Sequence, residues 1–214
     1  MKVNSPKLYL QFMKKISAIL FGVLCLSTAA FSQSTGTTQF GVNVGYNGAT
    51  VTSGNLNADY KSGFNAGVIV EHYFSDSWSI KGKALYDQKG WENGYITVGS
   101  VTKTTNYSLD YLTVPVLANW HFGHTKNWYL NFGPYIGFLL SAKESAGGND
   151  VKSYFNSTDG GLDLGIGVKF PVANQTKFFI EVNGQGGISD IGTGSNTGSS
   201  VKHSVSAINI GFLF

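Results

Sequence analysis

The chain has 214 residues, enough for one all-β domain, and is rich in glycine (28), phenylalanine (15) and tyrosine (11) with only 13% of residues charged. Its formal charge is +3, but all 15 basic residues are lysines and four of them fall in residues 1–32, which hold no acid; residues 33–214 carry eleven lysines against twelve acids, a net of −1. No basic patch with interleaved aromatics remains, which excludes nucleic acid as a partner, and the one cysteine, Cys25, lies in the same leader, which excludes disulfides and thiol chemistry beyond it.

The chain opens as an export signal. Lys14 and Lys15 precede an apolar run over 16–25, and Ala30-Phe31-Ser32 offers small residues before Gln33, so residues 1–32 read as a cleaved signal peptide. Met13 would itself begin a signal of ordinary shape, which makes 1–12 an upstream start. The run is too short for a retained transmembrane helix, and Leu24 before Cys25 argues against a lipid anchor.

Residues 33–214 then alternate with period two in eight segments, near 38–50, 63–74, 78–91, 106–122, 128–142, 160–172, 178–188 and 202–214. Connections at 75–77, 123–127 and 173–177 are tight, whereas those around 51–62, 92–105, 143–159 and 189–201 are long and rich in Gly, Ser, Asn and Thr. Short turns at one end and long loops at the other predict an all-β, eight-stranded antiparallel up-and-down transmembrane barrel.

Face parity decides between oil inside and oil outside. The second segment sets Ala66, Val68, Val70 and Phe74 against Asn65, Gly67, Ile69, Glu71 and Tyr73; the fourth sets Leu112, Val114, Val116, Ala118, Trp120 and Phe122 against Tyr111, Thr113, Pro115, Leu117, Asn119 and His121. The sixth opposes Leu162, Leu164, Ile166, Val168 and Phe170 to Asp163, Gly165, Gly167 and Lys169; the seventh opposes Phe178, Ile180 and Val182 to Phe179, Glu181, Asn183 and Gln185. Sets of Gly, Asn and a few charges are too small to coat a soluble surface but suit a narrow lumen, so the apolar face points to lipid. The short-turn ends of that face carry Phe40, Phe74, Trp78, Phe122, Trp128, Phe170, Phe178 and Phe214, which read as a periplasmic aromatic girdle.

Strand geometry yields four registers. A three-residue turn at 75–77 predicts Phe74 opposite Trp78 and Glu71 opposite Lys81 as an ion pair. Val172 opposite Phe178 is expected to set Lys169 against Glu181. In 92–105, β-branched residues flank Gly99-Ser100, predicting a hairpin on a II′ turn with a one-residue bulge near Asn93-Gly94. A turn over 123–127 puts Pro115 opposite Tyr135 and Pro134 opposite Val116, where missing donors predict a ladder defect covered by Tyr135, Asn131 or a water.

The stretches Gly-Val-Asn-Val-Gly at 41–45, Leu85-Tyr86-Asp87-Gln88-Lys89-Gly90, Tyr111-Leu112-Thr113-Val114-Pro115-Val116-Leu117, Phe132-Gly133-Pro134-Tyr135 and the terminal Phe214 resemble the PorT-like outer-membrane β-barrel family typical of Bacteroidota. The resemblance covers 37–214 and implies the barrel fold and the outer membrane; that family often carries an acid where Thr113 stands. Phe212-Leu213-Phe214 is similar to the aromatic carboxy-terminal signal read by the barrel-assembly machinery.

Inside the barrel the parity places a polar network of Glu71, Lys81, Lys83, Asp87, Asp163, Lys169 and Glu181, with Asn43, Asn119, Tyr135, Asn183 and Gln185. Buried charges are costly unless paired, so a self-satisfied plug is expected. The function that follows is a small structural or surface-interaction barrel acting through its long loops, with outer-membrane lipid and an unnamed extracellular or envelope ligand as partners. A narrow diffusion channel and a membrane-embedded lipid hydrolase or acyltransferase are the rivals. No catalytic set, metal site or cofactor is expected: His203 and Ser204 are adjacent and point to opposite faces, His72, His121 and His124 read as interfacial or turn residues, and Asp150, Asp159 and Asp190 read as solvated loop acids.

Overall fold

The computed structural model describes residues 36–53, 58–98, 100–173, 175–193 and 200–214, so the leader lies outside the described residues. Eight antiparallel strands close into a ring, β1 (Thr38–Thr52), β2 (Asp59–Ser75), β3 (Trp78–Val98), β4 (Val101–Phe122), β5 (Trp128–Glu144), β6 (Thr158–Pro171), β7 (Lys177–Gly187) and β8 (Lys202–Leu213), each paired with its sequence neighbour. β8 returns to β1 over the register Gly41↔Leu213 to Thr52↔Lys202, so no sheet edge is left along the wall.

The parity expected from the sequence is the parity observed. Val68 and Leu164 are 53% and 62% exposed on the outward face, while Glu71 and Lys169 are both 0% exposed inside. Inner-face glycines let the interior fill: a Cβ at Gly167 would stand 2.4 Å from the Tyr129 ring, and one at Gly45 would stand 2.1 Å from the Asn209 amide oxygen. Apolar packing occupies the ends of the lumen. Val51, Trp91, Leu109, Tyr111, Leu139, Ala142, Val151 and Ile191 form a buried cluster at the long-loop end, and Ile69, Phe179 and Leu213 form a smaller one toward the short turns. The loop after β5, with a 3-10 turn at Lys152–Tyr154, is stitched into the upper cluster by Val151 N–H donating to the Ala142 carbonyl at 3.0 Å.

The four registers fare differently. Glu71 does face Lys81, but the turn is tighter than expected: Ser75 pairs with Trp78, and Phe74 is the extra residue of a bulge, pushed outward and 49% exposed. β6 and β7 depart from the expected register by two residues. Phe170 faces Phe178, Lys169 faces Phe179, and Glu181 faces Gly167, with the turn at 172–176 closed by Val172 N–H on the Thr176 carbonyl. The Phe170 and Phe178 rings stack at 6.3 Å on the outside, and the two charges find partners across the lumen instead.

Residues 92–105 form a ribbon, with Gly94↔Thr105 through Val98↔Val101 paired regularly and a register shift between Trp91 and Gly94. Asn93, at φ 56°, sits in that bulge; Gly99 of the turn lies outside the described residues. Pro115 faces Tyr135, and the next two rungs before Ala118↔Phe132 are missing from the β4–β5 ladder. On the other edge of β4 the rungs between Gly82↔Val116 and Leu85↔Thr113 are missing too. Pro134 has no N–H for β4 and Pro115 none for β3, so each proline breaks one ladder only. Tyr135 and Asn131 do not cover the gaps: they donate to Asp159 at 3.3 Å and Glu181 at 2.7 Å.

Candidate functional site

The lumen is the chemically dense part of the molecule, and its side chains fall into layers. Nearest the short turns, Glu71 on β2 accepts from Lys169 Nζ at 2.8 and 2.9 Å, from Ser79 Oγ at 2.7 Å and from Asn119 Nδ2 at 2.7 Å, with His121 Nε2 at 3.1 Å. Lys169 also donates to Tyr73 Oη at 2.6 Å and lies over the Tyr73 and Tyr129 rings. Above it Glu181 on β7 accepts from Lys81 at 3.2 Å, from Lys83, from Tyr129 Oη at 3.0 Å and from Asn131 Nδ2 at 2.7 Å.

An amide chain crosses the middle of the barrel. Asn43 donates both ways, to Asn65 at 2.6 Å and Asn209 at 3.3 Å; Asn65 passes to Asn47 and Asn47 to Asp87, while Asn209 passes to Asn183 and Asn183 to Asp163. Gln185 also donates to Asp163 at 3.0 Å. A cavity of about 10 Å³ beside these residues has room for a single water. Near the long loops, Lys89 bridges Asp159 at 3.2 Å and Asp87 at 3.7 Å, and Asp159 also accepts from Tyr135 and Ser189 and meets His203 Nδ1 at 3.1 Å.

All seven acids and lysines expected inside are buried, and they are distributed over three layers: Glu71 with Lys169, Glu181 with Lys81 and Lys83, and Asp87 with Asp163 at the two ends of the amide chain. The expected Glu71–Lys81 and Lys169–Glu181 pairs are exchanged: Lys169 bonds Glu71, and Lys81 bonds Glu181. In so narrow a barrel a lysine stem reaches the opposite wall, so pairing is not confined to adjacent strands. Lys89, Asp159, His121 and His203 are lumen residues that the sequence reading left out, all 1% exposed. Lys89 shares the odd parity of Lys83 and Asp87 and was legible. Asp159 is a correction: β6 starts at Thr158, so this acid is the first inward residue of a strand and not a solvated loop acid. His121 is likewise no turn residue, since it shares the inward face with Asn119.

The outward aromatics stand at the short-turn end. Phe40, Phe74, Trp78, Trp128 and Phe170 are exposed, while Phe122, Phe178 and Phe214 are half-buried by neighbouring rings and strand ends. At the same end the mouth of the barrel holds a vestibule of about 330 Å³ framed by the β2–β3 and β4–β5 turns, with His121 at its floor.

His203 is oriented by Asp159, and among the described residues its Nε2 has no partner; Ser189 bonds the acid and not the imidazole, and Ser204 lies on the outward parity. Among the described residues no three His, Cys, Asp or Glu side chains form a metal-binding group.

The chain is similar in structure to the outer membrane protein OprG from Pseudomonas aeruginosa, at 16% identity and a TM-score of 0.55, covering 86% of this chain and 98% of that one. Neisserial surface protein A gives 16% identity and a TM-score of 0.49 over 80% and 95% of the two chains, and Ail of Yersinia pestis gives 17% and 0.47 over 84% and 99%. At this identity the OprG likeness speaks to fold alone, and no curated protein matches the sequence. The sequence itself matches the outer membrane protein beta-barrel domain over residues 31–192, most of its length, so the closed ring with an apolar outside and a charged inside is an outer-membrane protein and the chain belongs to that family.

Proposed function

We propose that this protein is a non-conducting, non-enzymatic barrel that anchors an interaction surface in the outer membrane. The observation that carries this reading is the lumen: paired charges and amides bridge it wall to wall, and apolar clusters close it toward both ends. Opening a pathway would strand buried charges, each at a cost of about 3–5 kcal/mol.

The surface on offer is at the long-loop end. Beyond Trp91 and Tyr107 the β3–β4 ribbon continues for five further rungs, and among the described residues neither flanking strand pairs with it there, so both of its edges offer backbone groups that no described strand takes up. Such edges accept an added extended strand, and Thr102, Lys103 and Thr104 are exposed along one of them. The PorT-like resemblance supports an envelope role of this kind without naming a ligand. Residues 1–32 would be removed on export, the short turns would face the periplasm with their aromatics at the lipid boundary, and β8 with Phe214 would engage the barrel-assembly machinery.

Purified protein in planar bilayers is expected to give no unitary conductance. Steady channels that persist in the Glu181→Gln variant would replace this reading with the diffusion channel, whose best support is the vestibule at the short-turn mouth. Orientation is tested separately. A membrane-impermeant maleimide should label Ser100→Cys on intact cells and leave Thr125→Cys unlabelled.

A further inference from the structure

Among the described residues, the vestibule at the short-turn mouth is a sizeable cavity whose floor holds a buried polar atom that the lumen network leaves unused. Its volume is about 330 Å³, at the lower end of small-molecule sites. Ser75 and Asp76 line it from the β2–β3 turn; His124, Thr125 and Lys126 line it from the β4–β5 turn. Asp76 and Lys126 make no ion pair among the described residues, so the lining itself carries one carboxylate and one ammonium, with the Lys177 ammonium 5.9 Å from the centroid of the Tyr73 ring that forms part of the wall.

The floor is His121, 1% exposed, with Nδ1 buried and without a hydrogen-bond partner among the described residues. Its tautomer follows from its neighbours. Glu71, ion-paired with Lys169, can only accept, and Ser79 spends its single proton on Glu71 at 2.7 Å. The hydrogen must therefore sit on Nε2, which lies 2.9 Å from Ser79 Oγ and 3.1 Å from Glu71. Nδ1 is then a fixed lone pair that calls for a donor from a ligand. The Tyr73 ring stacks on the imidazole at 5.1 Å and keeps it from turning away.

We propose that this vestibule binds a neutral, hydroxyl-rich ligand, a saccharide ring, with one hydroxyl donating to His121 Nδ1 and others shared between Asp76, Lys126 and the Ser75 and Thr125 hydroxyls. The alternatives fit less well. An anion would meet Asp76 and the Nδ1 lone pair, both acceptors. An ammonium reaching the floor would meet the field of Lys169 behind Tyr73. Hydroxyls donate and accept, which matches a wall of mixed donors and acceptors. The ligand class rests on the vestibule alone; its source rests on the proposed orientation, which would make it wall glycan on the periplasmic side.

The test is ¹⁵N NMR of the His121 imidazole in detergent micelles, titrated with N,N′-diacetylchitobiose, alongside co-sedimentation with isolated peptidoglycan sacculi. Saturable movement of the Nδ1 signal is expected in the parent. Thr125→Trp, which fills the mouth from an exposed turn and leaves the lumen network intact, should weaken it at least about tenfold without changing the heat resistance of the barrel. Binding of the free disaccharide without sacculi would keep the ligand class and remove the wall as its source. Movement with glycine or inorganic phosphate but not with the disaccharide, or equal movement in Thr125→Trp, would overturn the proposal, as would no movement at tens of millimolar. None of these outcomes depends on conductance or on the maleimide pattern.

Discussion

Glu71 faces Lys81 directly across the β2–β3 ladder, yet its carboxylate bonds Lys169 on the far wall at 2.8 Å, while Lys81 bonds Glu181 at 3.2 Å. Ladder adjacency and ionic partnership are therefore separable in this lumen. A double-mutant cycle on Glu71→Gln and Lys169→Met, read by reversible urea unfolding in lipid vesicles, should return a coupling larger than the cycle on Glu71→Gln and Lys81→Met. Glu71→Gln alone should cost about 3–5 kcal/mol, because it leaves the Lys169 ammonium buried without its carboxylate. A larger coupling to Lys81 would show that register outranks reach.

The two prolines give a prediction about assembly. Pro115 opens the β3–β4 ladder and Pro134 the β4–β5 ladder, so a residue with an N–H at either place can only add a rung. Pro115→Val should insert normally and gain about 1 kcal/mol, the net worth of one hydrogen bond. Its new amide should exchange slowly with solvent. Failure to insert would assign the proline a role that ladder geometry does not contain.

Much of the barrel was legible because a strand writes its environment with period two, and one parity of this chain is apolar while the other is not. That alone separated Val68 from Glu71 and Leu164 from Lys169. Registers were harder, since they depend on turns whose lengths differ by a residue: one bulge at Phe74 left Glu71 opposite Lys81, whereas the turn at 172–176 moved Lys169 away from Glu181 by a full rung pair. The ion pairs were not legible at all, because partners across a lumen share no local spacing. Nor was the His121 floor of the vestibule, which exists only where two turns from different hairpins meet.

Outside the membrane span, Glu144 at the end of β5 clasps the loop that follows. Its carboxylate accepts from the N–H groups of Ala146 at 2.6 Å, Gly147 at 2.9 Å and Asn149 at 3.1 Å, and from Thr105 Oγ1 at 2.9 Å. Loss of solvent works against the charge, but the Asn149, Thr105 and Gly147 hydrogen bonds outweigh it and hold the pKa down to about 2 from an ordinary 4.5. A depressed carboxylate contributes order above its unfolded value and loses it as pH falls through the folded one. Amide protection over 145–151 should therefore persist at pH 4 and fade as pH approaches 2; Glu144→Gln should lose much of it at neutral pH. Protection already gone at pH 4 would contradict the clasp.

The ribbon's independence from the barrel can be tested at its bulge. Asn93 adopts φ 56°, a left-handed conformation that asparagine and glycine tolerate and β-branched residues do not. Its side chain donates to Asp59, and its N–H donates to Asn106 Oδ1 at 3.2 Å, so it ties the ribbon's base to β2 and β4. Asn93→Val removes both the conformation and the Asp59 contact, whereas Asn93→Gly removes only the contact. Asn93→Val should therefore speed amide exchange at Gly94–Val98 and Val101–Thr105 by about tenfold or more, with Asn93→Gly between it and the parent, while exchange at Glu71, Lys169 and Glu181 stays unchanged in both. The reason is that the ribbon's rungs begin only beyond the register shift at Trp91, and the lumen ion pairs lie on the other side of it. Equal acceleration in ribbon and barrel would mean that the two unfold as one unit, and the ribbon could not then rearrange to accept an added strand without loosening its anchor.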